Sequence, residues 1–489
     1  MSKDTFGSTL QFLREQKGYS QYQLGELVGV TNKAVSKWET GYARPRTDLL
    51  VRLSEVLEVP METLLNGSAD AYDEIQSDSD TKKELWEKMY NRVRQKYHTF
   101  FSHQIENRLQ SEKRWGMTGD VLRRLQCLAE FVRMAEEQGE YVREQYGLYS
   151  FFTANAMGVT DINPLPPHYH CTACGWFEFT DEDCFWDLPE KTCRCGQKYQ
   201  RNGYRISYDL YWQQAAFHPA FRVRPQFMES AEELLKKAFG EYKVYLVEQG
   251  NADKKTYLLI PAEETVYYPD KVPHEYLQGT IQKYGKVSLI AYRNLQGIYE
   301  LEKMTNTSVR RIDYTSEEIR QACLLRTDEK LPGDYRKNTE QFVKDFHPES
   351  MADCIRLYGL RHTPREWHEK CLYLQEKYGL SLKQIPVFRE DIFNHIRTGL
   401  FSVGETESGL AVSITEQILR GKYRNRELTR DEKGNLRNIG TEPWFRDILP
   451  HIPYLFPKGL GLMAMQETMW FMWYVRNTPD AYNEIACRQ

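Results

Sequence analysis

Residues 161–203 read DINPLPPHYHCTACGWFEFTDEDCFWDLPEKTCRCGQKYQRNG. Two cysteine pairs punctuate the stretch, Cys171 and Cys174 in C-x-x-C spacing and Cys193 and Cys195 in C-x-C spacing, with eighteen residues between them. Each pair sits on a tight turn, and the intervening loop can bring the turns together. Four thiolates at this spacing can therefore close a tetrahedron around a structural Zn2+. The competing reading is four reduced, partly buried thiols that hold nothing. Cys184, His168 and His170 lie near enough in sequence to replace one ligand.

Outward from this stretch, the 489 residues suffice for two to four domains and a large core. A net charge of -4 announces no global basic field, so local patches must decide any nucleic-acid contact. The 32 tyrosines and 10 tryptophans suit broad contact surfaces. No apolar run approaches a membrane span, and the opening MSKDTFGS does not read as a signal peptide. Ten cysteines, clustered only in the quoted stretch, fit a reducing cytoplasm better than a disulfide framework. A cytoplasmic protein without a membrane partner is expected. No phosphate-binding G-x-x-x-x-G-K-[ST] loop, G-x-S-x-G elbow or H-E-x-x-H helix occurs.

The residues flanking the cysteines are more specific than the cysteines. NPLPPHY before the first pair and DLPEKTCRCG through the second resemble the PolC-type catalytic subunit of bacterial DNA polymerase III, in which such a zinc module is inserted beside the palm. Further segments resemble that family in its own order: LYGLRHTPREW (Leu357 to Trp367), REDIFNHI (Arg389 to Ile396), and EPWFRDILPHIPYLFPKGLGLMAMQETMWFMWYVRNTPDAY from Glu442, which looks like the fingers segment carrying the FPKAHA motif. The resemblance covers roughly residues 100 to 485, with gaps.

Nucleotidyl transfer needs carboxylates that hold two divalent metals. The family's D-x-D pair falls on Arg222 and Arg224 in FRVRPQF, Phe221 to Phe227, and its further aspartate near Glu302. Side chains alternate along a strand, so the two arginines share one face and bring positive charge where Mg2+ needs negative. Mg2+ is not expected to bind. The family's glycine- and serine-rich nucleotide cradle is replaced by REQYGLYSF, Arg143 to Phe151, with bulky Tyr146 and Tyr149. Its GQHPGG motif is missing around Ala252 to Glu264, and the histidine of FPKAHA becomes Leu460, although Phe456, Pro457 and Lys458 remain. The resemblance therefore implies a polymerase fold whose active site is lost. Arg222, Arg224 and Lys458 become candidates to bind phosphate. Two arginines on an inner sheet face must pair with acids or meet an anion. The basic stretch Arg420 to Arg430 suits phosphates and a solvated helix end equally well.

Residues 5–66 read as five short helices. Phe6, Leu10 and Leu13 give the first an apolar face, and Ser20 caps a second from Gln21 to about Val28. Gly29 turns the chain. Thr31 or Asn32 caps a third helix through Trp38, a fourth carries Leu49, Leu50, Leu53 and Leu57, and a fifth starts at Pro60. The string YSQYQLGELVGVTNKAVSKWETGYARPRTDLLVRLSEVLEVPMETLL resembles the Cro/C1-type helix-turn-helix family. That resemblance places the third helix in the major groove. Thr31, Asn32, Lys33, Ser36 and Lys37 would then face DNA, with Gln21 and Gln23 on phosphates and Val35 and Trp38 inward. Eight basic and eight acidic residues in 1–66 leave a helical packing module without DNA as the bland alternative. Residues 67–80, GSADAYDEIQSDSD, read as a flexible acidic linker, and residues 82 to 145 as helical.

The expected fold is a multidomain α+β chain: a small all-α helix-turn-helix domain (1–66), the linker (67–80), a helical palm-like part (81–165), the zinc module (166–205), a mixed α/β palm-like region (206–335) and a helical fingers-like region (336–489). The expected function is a DNA-binding regulator of transcription or replication that has lost polymerase activity. Double-stranded DNA is its first partner, single-stranded DNA, a nucleotide or replication proteins are further ones, and its state is a homodimer. The rivals are a divergent DNA-directed DNA polymerase and an oligomerisation scaffold.

Overall fold

A computed structural model describes residues 5–17, 19–57, 64, 69–97, 103–117, 120–212, 217–247, 253–264, 271–272, 284–324, 339–404 and 408–486. They divide into two compact units, residues 1–95 with 106–126, and residues 96–105 with 127–489.

The first unit opens with α1 (Thr5–Gln16), α2 (Gln21–Val28), α3 (Asn32–Glu39) and α4 (Thr47–Leu57). Their apolar faces meet in one core of Phe6, Leu10, Leu13, Leu24, Val28, Val35, Trp38, Leu50, Leu53, Leu57 and Leu64. Ser20 caps α2 reciprocally with Gln23, and Gly29 ends that helix in the left-handed conformation (φ 80°), which a side chain would strain. The fifth helix read from Pro60 lies outside the described residues, apart from Leu64. Helix α5 (Ala69–Tyr97) corrects the reading of residues 67–80 as linker, since from Ala69 onward they are helical. The physical reason is compositional: no proline or glycine interrupts the chain from Ala69 to Tyr97, and alanine, glutamate and glutamine are good helix formers. Helices α6 (His103–Gly116) and α7 (Val121–Glu137) follow, but the helical reading to residue 145 is too long. Gly139 at φ 75° breaks the run, and residues 143–146 are a strand.

The second unit is built on a six-stranded mixed sheet. Its strands are β1 (Arg143–Tyr146), β5 (Ala220–Val223), β6 (Tyr242–Val247), β7 (Lys254–Pro261), β8 (Lys271–Val272) and β9 (Lys286–Ala291), in the order β1-β5-β9-β7-β6-β8. Strand β5 runs antiparallel to β1 and parallel to β9. Pro225 stops β5, so Arg224 lies just past the strand, at the head of a single helical turn. A second, three-stranded sheet orders β3 (Phe177–Phe179), β2 (His168–His170) and β4 (Gln200–Asn202), all antiparallel.

The helix Lys458–Asn477 organises the helical part. It is buried almost throughout, from Gly459 to Tyr474, and packs against the helices Met351–Arg361, Glu317–Leu324 and Pro479–Ala486 and against β1. One apolar core runs from Trp186 and Tyr204 of the cysteine module through Ile355, Phe393 and Phe445 to Met463 and Met469 of this helix. The segments read as separate domains between residues 166 and 489 thus share one interior. The helical N-terminal region and mixed sheet make the chain multidomain α+β.

Candidate functional site

The third helix of the N-terminal domain is amphipathic at short range. Val35, Trp38 and Glu39 are buried, while Asn32, Lys33 and Lys37 are exposed and Ser36 is half-buried. Trp38 and Val35 therefore face inward, as the sequence suggested. Glu39 is held by Arg14, whose Nη2 donates at 3.0 Å and whose Nε donates to the other carboxylate oxygen. This buried pair ties α1 to α3 and fixes the angle of the helix. Gln21 Nε2 also donates to Glu39, at 2.8 Å. The Gln23 side chain accepts from the Ser20 amide at 2.8 Å, and Thr31 Oγ1 accepts from the Ala34 amide at 3.4 Å. Gln23 and Thr31 thus hold helix starts in place and Gln21 ties the start of α2 to the end of α3, while Gln23, Thr31, Asn32, Lys33 and Lys37 are all exposed. Sequence reasoning missed Tyr42, 87% exposed, and the exposed Arg46 in the loop after α3. The Gly41 turn signalled that loop but not which of its side chains extend outward.

The four cysteines converge. Their sulfur atoms lie within 4.8 Å of one another, with Cys171 Sγ 3.4 Å from Cys195 Sγ and Cys174 Sγ 3.5 Å from Cys193 Sγ. Each pair sits on a tight turn. The Gly175 amide donates to Cys171 O and the Gly196 amide to Cys193 O, both at 2.8 Å. The Cys174 amide draws the Cys171 thiol below its usual range, and the Cys195 amide draws Cys193 down to about 6. The Trp176 amide lowers Cys174, yet contact with Cys193 leaves that thiol raised to about 12. Four sulfurs this close ionise together only around a cation, and the donor set suits a thiolate-bound metal. Cys184, His168 and His170 do not join the cluster. His168 Nδ1 lies 2.8 Å from Pro166 O, and both histidine rings pack on Tyr97. Such a metal would cross-link the two turns at the end of the three-stranded sheet.

On β1 and β5, at one side of the large sheet, where the resemblance puts metal-binding carboxylates, stands an ion network. Glu467 Oε1 accepts from Arg143 Nη1 at 2.9 Å and from Arg222 Nη1 at 3.2 Å. Its other oxygen accepts from Tyr292 Oη at 2.9 Å. The Arg222 guanidinium lies 4.0 Å over the Tyr292 ring and that of Arg143 4.5 Å over Trp470. Arg143 also donates to Gln466 at 2.5 Å and to Asp161 at 3.3 Å. Burial opposes the charge on Arg143 and Arg222, but nearby carboxylates outweigh it and hold both above the usual guanidinium range. Arg224 forms a two-pronged pair with Glu140 and stacks 4.1 Å over Tyr299. Glu302 accepts from Tyr141 Oη and from the Val309 amide.

The start of the helix Lys458–Asn477 is filled from within. Both oxygens of buried Glu390 accept from the Lys458 amide at 3.0 Å, and Glu390 also accepts from Tyr211 Oη at 2.7 Å. Burial pushes the Glu390 carboxyl up. Lys458 Nζ turns to the carbonyls of Tyr204, at 2.8 Å, and Asp183. Burial holds it below the usual ammonium range. Tyr149 packs so closely on Gly459 that a Cβ there would stand 2.6 Å from its ring. Arg222, Arg224 and Lys458 each have an internal partner, which corrects the expectation that they face a phosphate. In the Arg420–Arg430 stretch Arg424 donates to Ile452 O, while Arg426 and Arg420 are exposed and pair at the surface with Glu432 and Glu416.

Comparison with known proteins agrees with both resemblances. The family described as Helix-turn-helix matches residues 10–64, which supports DNA binding by this domain. The body is similar to proteins named DNA polymerase III PolC-type: 23% identical over 408 residues to that of Thermotoga maritima, 22% over 427 residues to that of Clostridium perfringens, and 22% over 427 residues to that of Mycoplasmopsis pulmonis. These alignments cover 68%, 71% and 70% of this chain and 29%, 28% and 29% of the relatives. The chain thus spans under a third of the length of the curated relatives it matches. Among the described residues, no helix is long and apolar enough to cross a membrane.

Proposed function

We propose that this chain is a DNA-binding regulator of transcription or replication whose polymerase-like body does not catalyse nucleotidyl transfer. The observation that carries the second half is Glu467 lying between Arg143 and Arg222. A two-metal site needs clustered carboxylates with open coordination positions. Here the buried Glu467 carboxylate, set against β1 and β5, is saturated by two guanidinium groups and a tyrosine. A magnesium ion approaching it meets two fixed positive charges. The Glu390 carboxylate at the Lys458 amide supports the same reading, because it fills with an internal anion a helix start that would otherwise attract phosphate. Zn2+ bound by Cys171, Cys174, Cys193 and Cys195 is structural in this reading, since four protein ligands leave no open position. The exposed face of α3, with Asn32, Lys33, Ser36 and Lys37, reads a duplex site as a dimer on paired half-sites.

Primer extension by the purified chain, with Mg2+ and then Mn2+, tests the reading. The expected result is no extension by wild type, together with duplex binding that Lys33→Ala weakens. Extension that Arg222→Ala or Arg143→Ala alters would overturn the reading and favour a divergent polymerase.

A further inference from the structure

The loop that follows α3 is folded back onto that helix. Thr40 Oγ1 donates to Ser36 O at 2.7 Å, and Gly41 turns the backbone at φ 76°. The amides of Tyr42 and Ala43 then both donate to Lys37 O, at 2.9 and 3.2 Å. At the far end of the loop Pro45 is buried, and Arg46 O accepts from the Leu49 and Leu50 amides at 3.0 and 2.9 Å, at the head of α4. The loop is thus fixed at both ends against the helices it joins. Its place relative to a bound duplex follows from length. α3 has eight residues, about 12 Å at 1.5 Å per residue, which is about the width of the major groove. A helix whose first residues, Asn32 and Lys33, enter the groove brings its end to the groove wall, where the sugar–phosphate backbone runs.

On this fixed backbone Tyr42 is 87% exposed, more than any other large apolar or aromatic side chain among the described residues, and Arg46 is exposed four residues on. A tyrosine so placed carries an apolar ring and a polar tip to the surface, where a sugar and a phosphate oxygen suit them in turn. Charge selects the same partner. From Thr31 to Thr47 the chain carries Lys33, Lys37, Arg44 and Arg46, half of the eight basic residues in 1–66, but only one of the eight acids, Glu39. Glu39 is buried and held by Arg14, so the exposed charge from Thr31 to Thr47 is all positive. We propose that Tyr42 and Arg46 hold the duplex backbone beside the groove that α3 enters, Tyr42 by donating its hydroxyl to a phosphate oxygen and Arg46 through its guanidinium. This rests on the duplex-binding reading above and adds contacts that set affinity and register without reading bases.

The test uses the full chain and two mixed-sequence DNA duplexes of unrelated sequence, each titrated across a salt series. The variants are Tyr42→Phe, Arg46→Gln and Lys33→Ala, with Tyr454→Phe and Lys198→Gln in the other unit as surface controls. Tyr42→Phe should weaken binding about tenfold, the loss of one hydrogen bond to a charged group. Arg46→Gln should lower the slope of log K against log salt by about 0.9, the loss of one phosphate contact. Both effects should be the same on the two duplexes, and both controls should bind as wild type does. If Lys33→Ala weakens binding while Tyr42→Phe and Arg46→Gln bind like wild type, this proposal falls and the duplex-binding reading stands. A wild type that binds neither duplex, or binding unmoved by all three variants, overturns both. An effect of Tyr42→Phe confined to one duplex also overturns the proposal, since the hydroxyl would then read a base. So does a Tyr42→Ala chain that sediments as a smaller species than wild type without DNA, because the ring would then belong to a contact between copies.

Discussion

Glu467→Gln removes one negative charge and almost no volume, which makes it a clean probe of the network it forms with Arg143 and Arg222. In the folded chain both Arg143 and Arg222 reach the same Glu467 oxygen, and both guanidinium groups are about 95% buried. Arg143 keeps Gln466 and Asp161 after the change. Arg222 keeps its stacking on Tyr292 and, in place of a carboxylate, a neutral amide oxygen. Breaking a buried ion pair by neutralising one partner typically costs about 3–5 kcal/mol, because the remaining charge stays desolvated. For a unit of this size, with unfolding entropy near 2.1 cal/mol/K per residue, that corresponds to a Tm lowered by roughly 4–6 °C. The assay is equilibrium unfolding in urea followed by tryptophan fluorescence, with Arg222→Leu and the double variant completing a cycle. A coupling of about 1–3 kcal/mol between the two positions is expected. A coupling below about 0.5 kcal/mol, with the single variant as stable as wild type, would refute the claim that this carboxylate neutralises the arginine pair.

Glu144 gives a pH prediction. Burial, only partly offset by the Leu148 amide, raises its carboxyl to about 8. Between the unfolded value near 4.5 and about 8 the folded chain holds a proton that the unfolded chain has released, so stability should fall as pH rises through that window, by at most about 1.4 kcal/mol per pH unit. Glu144→Gln should flatten this slope, and unfolding curves at pH 5, 6, 7 and 8 would check it. Cys174→Ser should lower the metal content of the purified chain from about one equivalent, and a chelator should lower the wild-type Tm while leaving the variant unmoved, as read by elemental analysis and calorimetry. Lys33→Ala should weaken duplex binding and reduce its salt slope by about 0.9 if the ammonium meets a phosphate, and Val51→Thr on α4 serves as a control that leaves both unchanged. Glu39→Gln should destabilise the N-terminal domain, by less than the roughly 3–5 kcal/mol of a fully broken buried pair because Arg14 keeps Glu15 and Tyr19 O, visible as an earlier first transition in urea.

Several parts of this molecule were legible because their information is local. The caps at Ser20 and Thr31 and the apolar spacing through Leu50, Leu53 and Leu57 lie within one or two helical turns, and they fixed α2 to α4. The cysteine spacing predicted a cluster because two short turns and one loop suffice to build it. Residues 67–80 failed for the opposite reason. Their polar, acidic composition suggested coil, whereas the absence of glycine or proline after Ala69 lets the helix run back from Trp86. Gln21 and Gln23 were assigned to phosphates from the resemblance; the sequence did not show that Gln21 also donates to Glu39 or that Gln23 accepts from the Ser20 amide.

The chain by itself, through its resemblance to the polymerase family, set Arg222 and Arg224 where that family has acids and Tyr149 where it has a glycine-rich cradle. It could not name what the arginines meet. Arg222 and Glu467 are separated by 245 residues, and Arg143 and Glu467 by 324. No periodicity or motif joins positions so far apart, since their approach depends on the buried helix Lys458–Asn477 lying against β1 beneath the sheet. The same holds for Glu390, which reaches the Lys458 amide only after two helices pack. A charge in a sequence states its sign; whether it is neutralised or left to bind an anion depends on the tertiary fold, because only burial makes an unpaired charge costly.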